Sequence, residues 1–164
     1  MKKMFLRAVS LVVTAVLLLF ILASCDEGRS ALSIMSEFCE AYSVGGVVYS
    51  PHIREGERGY SDEDFFIELY GEGSDSVSDY SVLLLSGLSD VGECAVFICY
   101  SDYDATLVSD MCYRRIELLK SLSGAVDTSF ADDAFVLRRG KTVVMCALAD
   151  NERGKRIWKK VIQS

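Results

Sequence analysis

The chain has 164 residues, of which 51% are hydrophobic, and it carries 24 acidic against 17 basic side chains. This net negative charge argues against a nucleic-acid partner, because surfaces that bind nucleic acid are strongly basic. The length suits one compact domain with a hydrophobic core.

The first 25 residues have the pattern of a bacterial lipoprotein signal peptide. They begin with three cations, Lys2, Lys3 and Arg7. An apolar run over residues 8–22 follows, and the small residues Ala23 and Ser24 lead into Cys25. This order predicts cleavage before Cys25 and diacylglycerol, with acyl chains such as palmitate, on its thiol. The alternative is an uncleaved membrane anchor, but a span needs about 20 apolar residues and this run is shorter.

Three segments follow from this interpretation. Residues 1–24 form the signal peptide, residues 25–30 are the lipidated Cys25 with a short tether, and residues 31–164 form a single α+β domain. The first 24 residues hold three basic side chains and no acidic ones, so the mature chain has a net charge of −10. We therefore expect attachment to the extracytoplasmic face of the bacterial cell membrane through lipid instead of a polybasic segment, and no other cofactor.

Charge is divided unevenly along the mature chain. Residues 25–110 hold 18 acidic and three basic side chains, whereas residues 111–164 hold six acidic and 11 basic ones. Two halves that attract each other within one fold would explain this division. The alternative is an acidic surface that meets a cationic partner or ion.

Helical spacing of apolar residues predicts a first helix over residues 31–42. Its stripe consists of Leu32, Met35, Phe38, Cys39 and Tyr42. Residues 44–49 form a short extended piece, and Ser61 begins a capping box that starts a helix ending at Tyr70.

From residue 80 the chain shows two strand-strand-helix units. The predicted elements are strands 80–85 and 93–100, a helix over 105–122, strands 134–138 and 142–149, and a last helix capped by Asn151. Two hairpins joined by a helix favour a four-stranded, mainly antiparallel sheet. The second and fourth strands are apolar at nearly every position, which is typical of strands covered on both faces. We expect the two helices of these units to cover one face and the helix over 31–42 to cover the other.

The last helix carries one apolar stripe, formed by Ile157, Trp158, Val161 and Ile162. Its remaining surface is basic, so the stripe lies against the sheet or against another protein. We expect Trp158 to pack on the sheet, because the strand before it is apolar on both faces and needs cover.

Several segments together resemble a known family. They are the lipobox (residues 22–25, the end of the signal peptide with Cys25), the stretch 65–71 and the strand 93–97. The helix with Arg114 and Arg115 also fits, because a strand, a glycine turn and a second strand follow it. Over residues 60–162 this pattern is similar to the bacterial lipoproteins grouped as domain of unknown function 4358. The resemblance implies a small envelope lipoprotein, mostly of Gram-positive bacteria. It implies no catalytic residues.

Five cysteines follow Cys25: Cys39, Cys94, Cys99, Cys112 and Cys146. An odd number means that at least one cannot pair within the chain, and no C-x-x-C motif supports redox chemistry or zinc binding. Each lies in an apolar segment, where free cysteine behaves as a small hydrophobe. We expect Cys112 and at least one of Cys99 or Cys146 to be free and buried. Cys94 and Cys99 are an odd number of positions apart on one strand, so they face opposite sides of the sheet.

Signatures of an enzyme or of a metal site are weak in this sequence. The single histidine, His52, lies in a polar loop, and neither G-x-S-x-G nor S-x-x-K occurs. The acidic residues at 62–64 and at 102–104 coincide with helix starts, where carboxylates favour the positive end of the helix dipole. We therefore predict a non-enzymatic protein with no metal site and no catalytic residue.

Three side chains are candidate ligand or partner contacts: Arg114, Arg115 and Tyr103. The arginines either form salt bridges with the acidic half or recognise an anion. Tyr103 could line an aromatic cleft with Tyr80, Tyr100 and Tyr113, or these tyrosines could cover the sheet margin. The leading function is an envelope lipoprotein that binds a partner protein or a small ligand. The alternatives are a solute- or cation-capture subunit of a membrane transport system and, third, an envelope hydrolase.

Overall fold

The computed structural model describes residues 28–86, 91–122 and 128–163. The predicted signal peptide and Cys25 lie outside the described residues. The described helices are α1 (Ala31–Tyr42), α2 (Glu63–Tyr70), α3 (Asp102–Ser121) and α4 (Asn151–Val161). The strands are β1 (Val47–Tyr49), β2 (Val77–Ser86), β3 (Val91–Cys99), β4 (Phe135–Arg139) and β5 (Thr142–Ala147). Short 3-10 turns precede β2 at Ser74–Ser76 and β4 at Ser129–Ala131.

The strands form one antiparallel sheet in the order β1-β2-β3-β5-β4. The predicted α+β class is confirmed, with one strand more than expected. The additional strand, β1, pairs with β2 at the sheet edge, with Val48 opposite Leu83. It lies within the predicted extended piece over residues 44–49, but three residues are too few for their pattern to predict that this piece joins the sheet.

The helices cover the sheet in a different arrangement from the predicted one. Helices α2 and α3 pack on one face, whereas α1 and α4 lie side by side on the other. The expectation that α3 and α4 share a face was wrong. A five-stranded sheet is roughly 20 Å wide at about 4.8 Å per strand, and one helix covers only about 10 Å. The short α1 therefore cannot cover a face alone, and α4 completes that layer.

The central strands β3 and β5 are buried on both faces, as their apolar sequences predict. Alternate residues of β3 point to opposite layers: Ala95 and Phe97 face α2 and α3, whereas Cys94 and Val96 face α1 and α4. Cys94 and Cys99 accordingly lie on opposite faces. The predicted packing of Trp158 on the sheet is also confirmed, because its side chain is fully buried.

Two predicted helix caps lie one residue away from the observed ones. Asp62, not Ser61, caps α2 by accepting a hydrogen bond from the Phe65 amide at 3.0 Å. Asp150, not Asn151, caps α4. The Asn151 side chain is buried instead, where it accepts from the Leu148 amide and donates to the Phe130 carbonyl.

No disulfide joins the five described cysteines in this structure, and all except Cys39 are buried. This agrees with the expectation that Cys112 and at least one of Cys99 or Cys146 are free and buried. Burial raises the pKa of Cys39 and of Cys99 to about 11 and raises the pKa of Cys112 further. These thiols are protonated, weakly reactive core residues at neutral pH.

Replacing Trp158 with alanine should lower the free energy of unfolding by about 3–5 kcal/mol. The indole stacks on Phe38 with ring centres 4.1 Å apart, so its removal leaves a cavity between α1 and α4. Urea denaturation followed by circular dichroism measures the loss. Leu118→Ala, at a half-exposed position of α3, is the control and should change stability by less than about 1 kcal/mol. A Trp158→Ala variant as stable as this control would contradict the packing described.

Stability should also fall in alkaline solution. The pKa of Cys39 and of Cys99 is about 11 in the folded protein against a reference value of 9.0, so the folded state retains protons that the unfolded chain releases. The stabilisation is complete below pH 9.0 and is lost as pH rises through about 11. Urea titrations from about pH 8 to about pH 11 should show this decline, and a Cys39→Ala/Cys99→Ala variant should show a smaller one. A flat profile in the wild type would exclude the described burial.

Candidate functional site

A pocket of about 340 Å³ opens between the start of α2, the turn Ser74–Ser76 and β2. Carboxylates and aromatic rings line it together. The carboxylates belong to Asp62, Glu63, Asp75 and Asp79, and the rings belong to Phe66, Tyr80 and Tyr100. This combination makes the pocket the candidate functional site.

Tyr80 and Asp79 on β2 position two sides of this pocket. The buried Tyr80 hydroxyl donates to the Asp62 carbonyl at 2.7 Å and so ties the start of α2 to β2. A register shift between Val77 and Asp79 interrupts the pairing of β2 with β3 just before this point. Such irregularities turn side chains away from the regular ladder. The pocket therefore forms where the ladder of β2 is disturbed.

Asp79 connects the pocket to the N-terminus of α1. Its Oδ2 accepts a hydrogen bond from the Ala31 amide at 2.7 Å, and its Oδ1 lies 3.0 Å from His52 Nε2. The carboxylate is about five-sixths buried, since 15% of its side chain is exposed. Because the tether joins α1 at Ala31, this contact puts the pocket at the end of the molecule from which the predicted lipid anchor leaves.

The pocket is suited to a positively charged organic group. Among the described residues, Asp62, Glu63 and Asp75 form no salt bridge, although Arg114 lies beside Asp75 in an adjoining pocket. Carboxylates of one sign in a cleft produce a local negative potential, and the faces of tyrosine and phenylalanine attract cations as well. Within the described ranges, no group of three or more histidine, cysteine or acidic side chains could hold a metal ion.

A buried ion pair between Arg115 and Glu93 connects α3 to the sheet, and a hydrogen bond from Tyr70 connects the end of α2 to the same carboxylate. Glu93 on β3 is 3% exposed and receives two hydrogen bonds from Arg115 Nε and one from Arg115 Nη2, which is the shortest at 2.7 Å. The Tyr70 hydroxyl donates to the same carboxylate at 2.8 Å. Burial, followed by the charge of Glu93, raises the pKa of Tyr70 well above its usual value.

The three side chains proposed from the sequence as ligand or partner contacts lie in three different environments. Arg115 makes the salt bridge to the acidic half, with Nε and Nη2 bonded to the Glu93 carboxylate and 14% of its side chain exposed. Arg114 is exposed on α3, where it lines a second pocket of about 420 Å³ with Glu72, Asp75 and Asp110. Tyr103 is 72% exposed at the start of α3 and lines no described pocket.

The possible cleft of four tyrosines is not formed. Tyr80 and Tyr100 line the pocket together, whereas Tyr103 and Tyr113 are exposed on α3 outside it. Sequence reasoning did not identify Asp75 and Asp79 as site residues. Asp75 lies in the turn before β2, and Asp79 lies in β2 at the register shift.

Comparisons with protein-family models, with curated proteins and with solved structures found no match to this chain. The resemblance to domain of unknown function 4358 therefore stays a prediction. No helix within the described ranges is long and apolar enough to cross a membrane.

Replacing Arg115 with methionine should lower the free energy of unfolding by about 3–5 kcal/mol, because it leaves the Glu93 charge buried without a partner. The double variant Arg115→Met/Glu93→Gln removes that charge and should recover most of the loss. Arg114→Met, at the neighbouring exposed position, should change stability by less than about 0.5 kcal/mol. Chemical denaturation of the four proteins measures these differences. Equal effects of the Arg114 and Arg115 substitutions would contradict the described ion pair.

Proposed function

We propose that the mature protein is a non-enzymatic lipoprotein, anchored through Cys25 to the extracytoplasmic face of the membrane. Its pocket between α2 and β2 binds a small ligand or a side chain of a partner protein. The observation that carries this proposal is the double role of Asp79, which lines the pocket and also accepts the first amide of α1. Five residues, 26–30, lie between Cys25 and Ala31, so the six steps of the chain span at most about 22 Å. A ligand in the pocket is thus held close to the membrane surface.

The second candidate function is capture of a cationic solute for a membrane transport system. The carboxylates and aromatic rings of the pocket favour it, because both attract organic cations. It uses the same pocket and the same anchor as the first candidate. The two differ in what receives the ligand, a partner protein or a transporter.

The third candidate, an envelope hydrolase, has one observation in its favour. His52 Nε2 lies 3.0 Å from Asp79 Oδ1, which brings together the residue types of a general base and its orienting carboxylate, although the contact does not have the geometry of a hydrogen bond. Among the described residues, however, no serine or cysteine side chain is hydrogen-bonded to the His52 ring. Catalysis by nucleophilic attack needs that contact, so the binding function has better support.

Removal of the anchor is the first test. Cys25→Ala should abolish incorporation of labelled palmitate and release the protein from membranes, because the diacylglycerol is the proposed attachment. Cys39→Ala is the matched control because it leaves the signal peptide and Cys25 intact. This variant should stay labelled and membrane-bound. A Cys25→Ala protein that remains in membranes after a carbonate wash would show that the apolar segment is itself the anchor.

The second test concerns the pocket. Spermidine and choline, as probes of cationic character, should bind the full chain, while glutamate should not. Asp75→Asn/Glu63→Gln should weaken binding by about tenfold or more, since each lost carboxylate removes a favourable interaction of about 1 kcal/mol. Asp133→Asn, an exposed carboxylate outside the pocket, is the control. Calorimetry that detects no cation binding, or equal binding by all variants, would argue against this ligand class.

A further inference from the structure

Two of the buried cysteines lie directly opposite each other in the centre of the sheet. Cys94 on β3 pairs in register with Cys146 on β5, and both side chains are 0% exposed. Their sulfur atoms are 2.8 Å apart. This separation brings the two thiols into direct contact.

The hydrogen-bond pattern of the sheet shows which kind of pair this is. The Cys99 amide donates to the Lys141 carbonyl, one step beyond the pair Ile98 and Thr142. Hydrogen-bonded and non-hydrogen-bonded pairs alternate along antiparallel strands, so Cys94 and Cys146 form a non-hydrogen-bonded pair. Their Cα atoms are then about 4.5 Å apart, which lies within the range of roughly 4.4–6.8 Å that a disulfide requires. The backbone therefore needs no displacement to accept the bond.

The surroundings of the two sulfur atoms are closed and apolar. A Cβ atom added to Gly154 of α4 would lie 3.2 Å from Cys146 Sγ, so the helix packs closely over the pair. The buried indole nitrogen of Trp158 has no hydrogen-bond partner, and the indole lies near Cys94. A disulfide carries no polar hydrogen and suits such a site. Because α1 and α4 cover it, oxidation has to precede their final packing.

We propose that Cys94 and Cys146 form an intramolecular disulfide in the exported protein. The oxidant is either the active-site disulfide of an exported thiol oxidoreductase or a small-molecule disulfide such as oxidised glutathione. One cysteine thiolate attacks that disulfide and releases one thiol; the second cysteine thiolate then attacks the mixed disulfide and releases the other. Two protons leave Cys94 and Cys146, and the oxidant gains two electrons.

The inference goes beyond ligand binding and rests on one part of the proposed function, export from the cytoplasm. Reducing systems keep cytoplasmic thiols from pairing, whereas exported chains retain disulfides. The remaining cysteines stay as thiols. Cys99 and Cys112 lie on the opposite face of the sheet from the pair, and Cys39 lies in α1.

The test uses the full chain expressed with its own N-terminus in a bacterial host. Cells are lysed in denaturant with excess N-ethylmaleimide and no reductant, and peptides are identified by mass spectrometry. We expect a linked Cys94–Cys146 peptide, lighter by about 2 Da than its two thiol forms, with alkylation at Cys39, Cys99 and Cys112. Alkylation of all five cysteines in chains that carry lipid on Cys25 would overturn the proposal.

A second measurement separates this proposal from failure of the lipoprotein assignment. Chains without lipid on Cys25 contradict the proposed function, and the disulfide is then decided by refolding the full chain with oxidised and reduced glutathione. Formation of the Cys94–Cys146 bond in preference to other pairs supports the inference; a mixture of pairs, or five free thiols, overturns it.

Stability provides the matched control. Reduction of the wild type should lower its urea midpoint by about 1 M, since a disulfide adds stability to a domain of this size. Cys94→Ala/Cys146→Ala should show no response to reductant, whereas Cys112→Ala should respond like the wild type. A wild-type midpoint that is insensitive to reductant would count against the bond.

Discussion

The buried carboxylate of Glu93 is the constraint on which the arrangement of this fold depends. It lies on β3, the central strand, where both faces are covered. A charge removed from water at such a position needs hydrogen-bonded partners, because desolvation costs several kcal/mol. Arg115 and Tyr70 supply them, and they come from different helices. One carboxylate thus fixes α3 and the end of α2 relative to the sheet.

The start of α2 is held by a second contact, from the Tyr80 hydroxyl to the Asp62 carbonyl. Between these two ends, Phe66 packs edge-on against Phe97 and Tyr80, with ring centres 5.9 and 5.2 Å apart. A helix of only two turns would be marginal alone. Here it is fixed at both ends and in the middle, and this rigidity gives the pocket beside it a defined wall. A preformed wall lowers the entropy cost of binding.

Apolar periodicity predicted the long elements well, because burial dictates one residue type at every second position of a strand or along one stripe of a helix. It also placed Trp158 in the core and the cysteines in apolar segments, but it did not distinguish Arg115, which forms a salt bridge, from Arg114, which does not. It did not predict which helices share a layer, since the stripes of α1 and α4 indicate burial without indicating a neighbour. The pocket was not predictable either. Asp79 lines the pocket next to a register shift in β2, and such a shift leaves no periodic pattern in the amino-acid sequence.

Attraction between the acidic and the basic half explains the uneven division of charge along the chain only in part. Among the described residues, the ion pairs Arg115–Glu93 and Arg138–Asp102 join the halves. Two basic side chains of α4 contact aromatic rings instead of carboxylates. Arg153 lies over the Tyr42 ring, and Lys155 lies over the Phe135 ring. Since α4 covers the face opposite α2, its basic surface cannot neutralise the carboxylates around the pocket. The fold therefore keeps the basic surface of α4 on the layer opposite the pocket, whereas Arg114 and Arg115 of α3 lie on the same layer as the pocket.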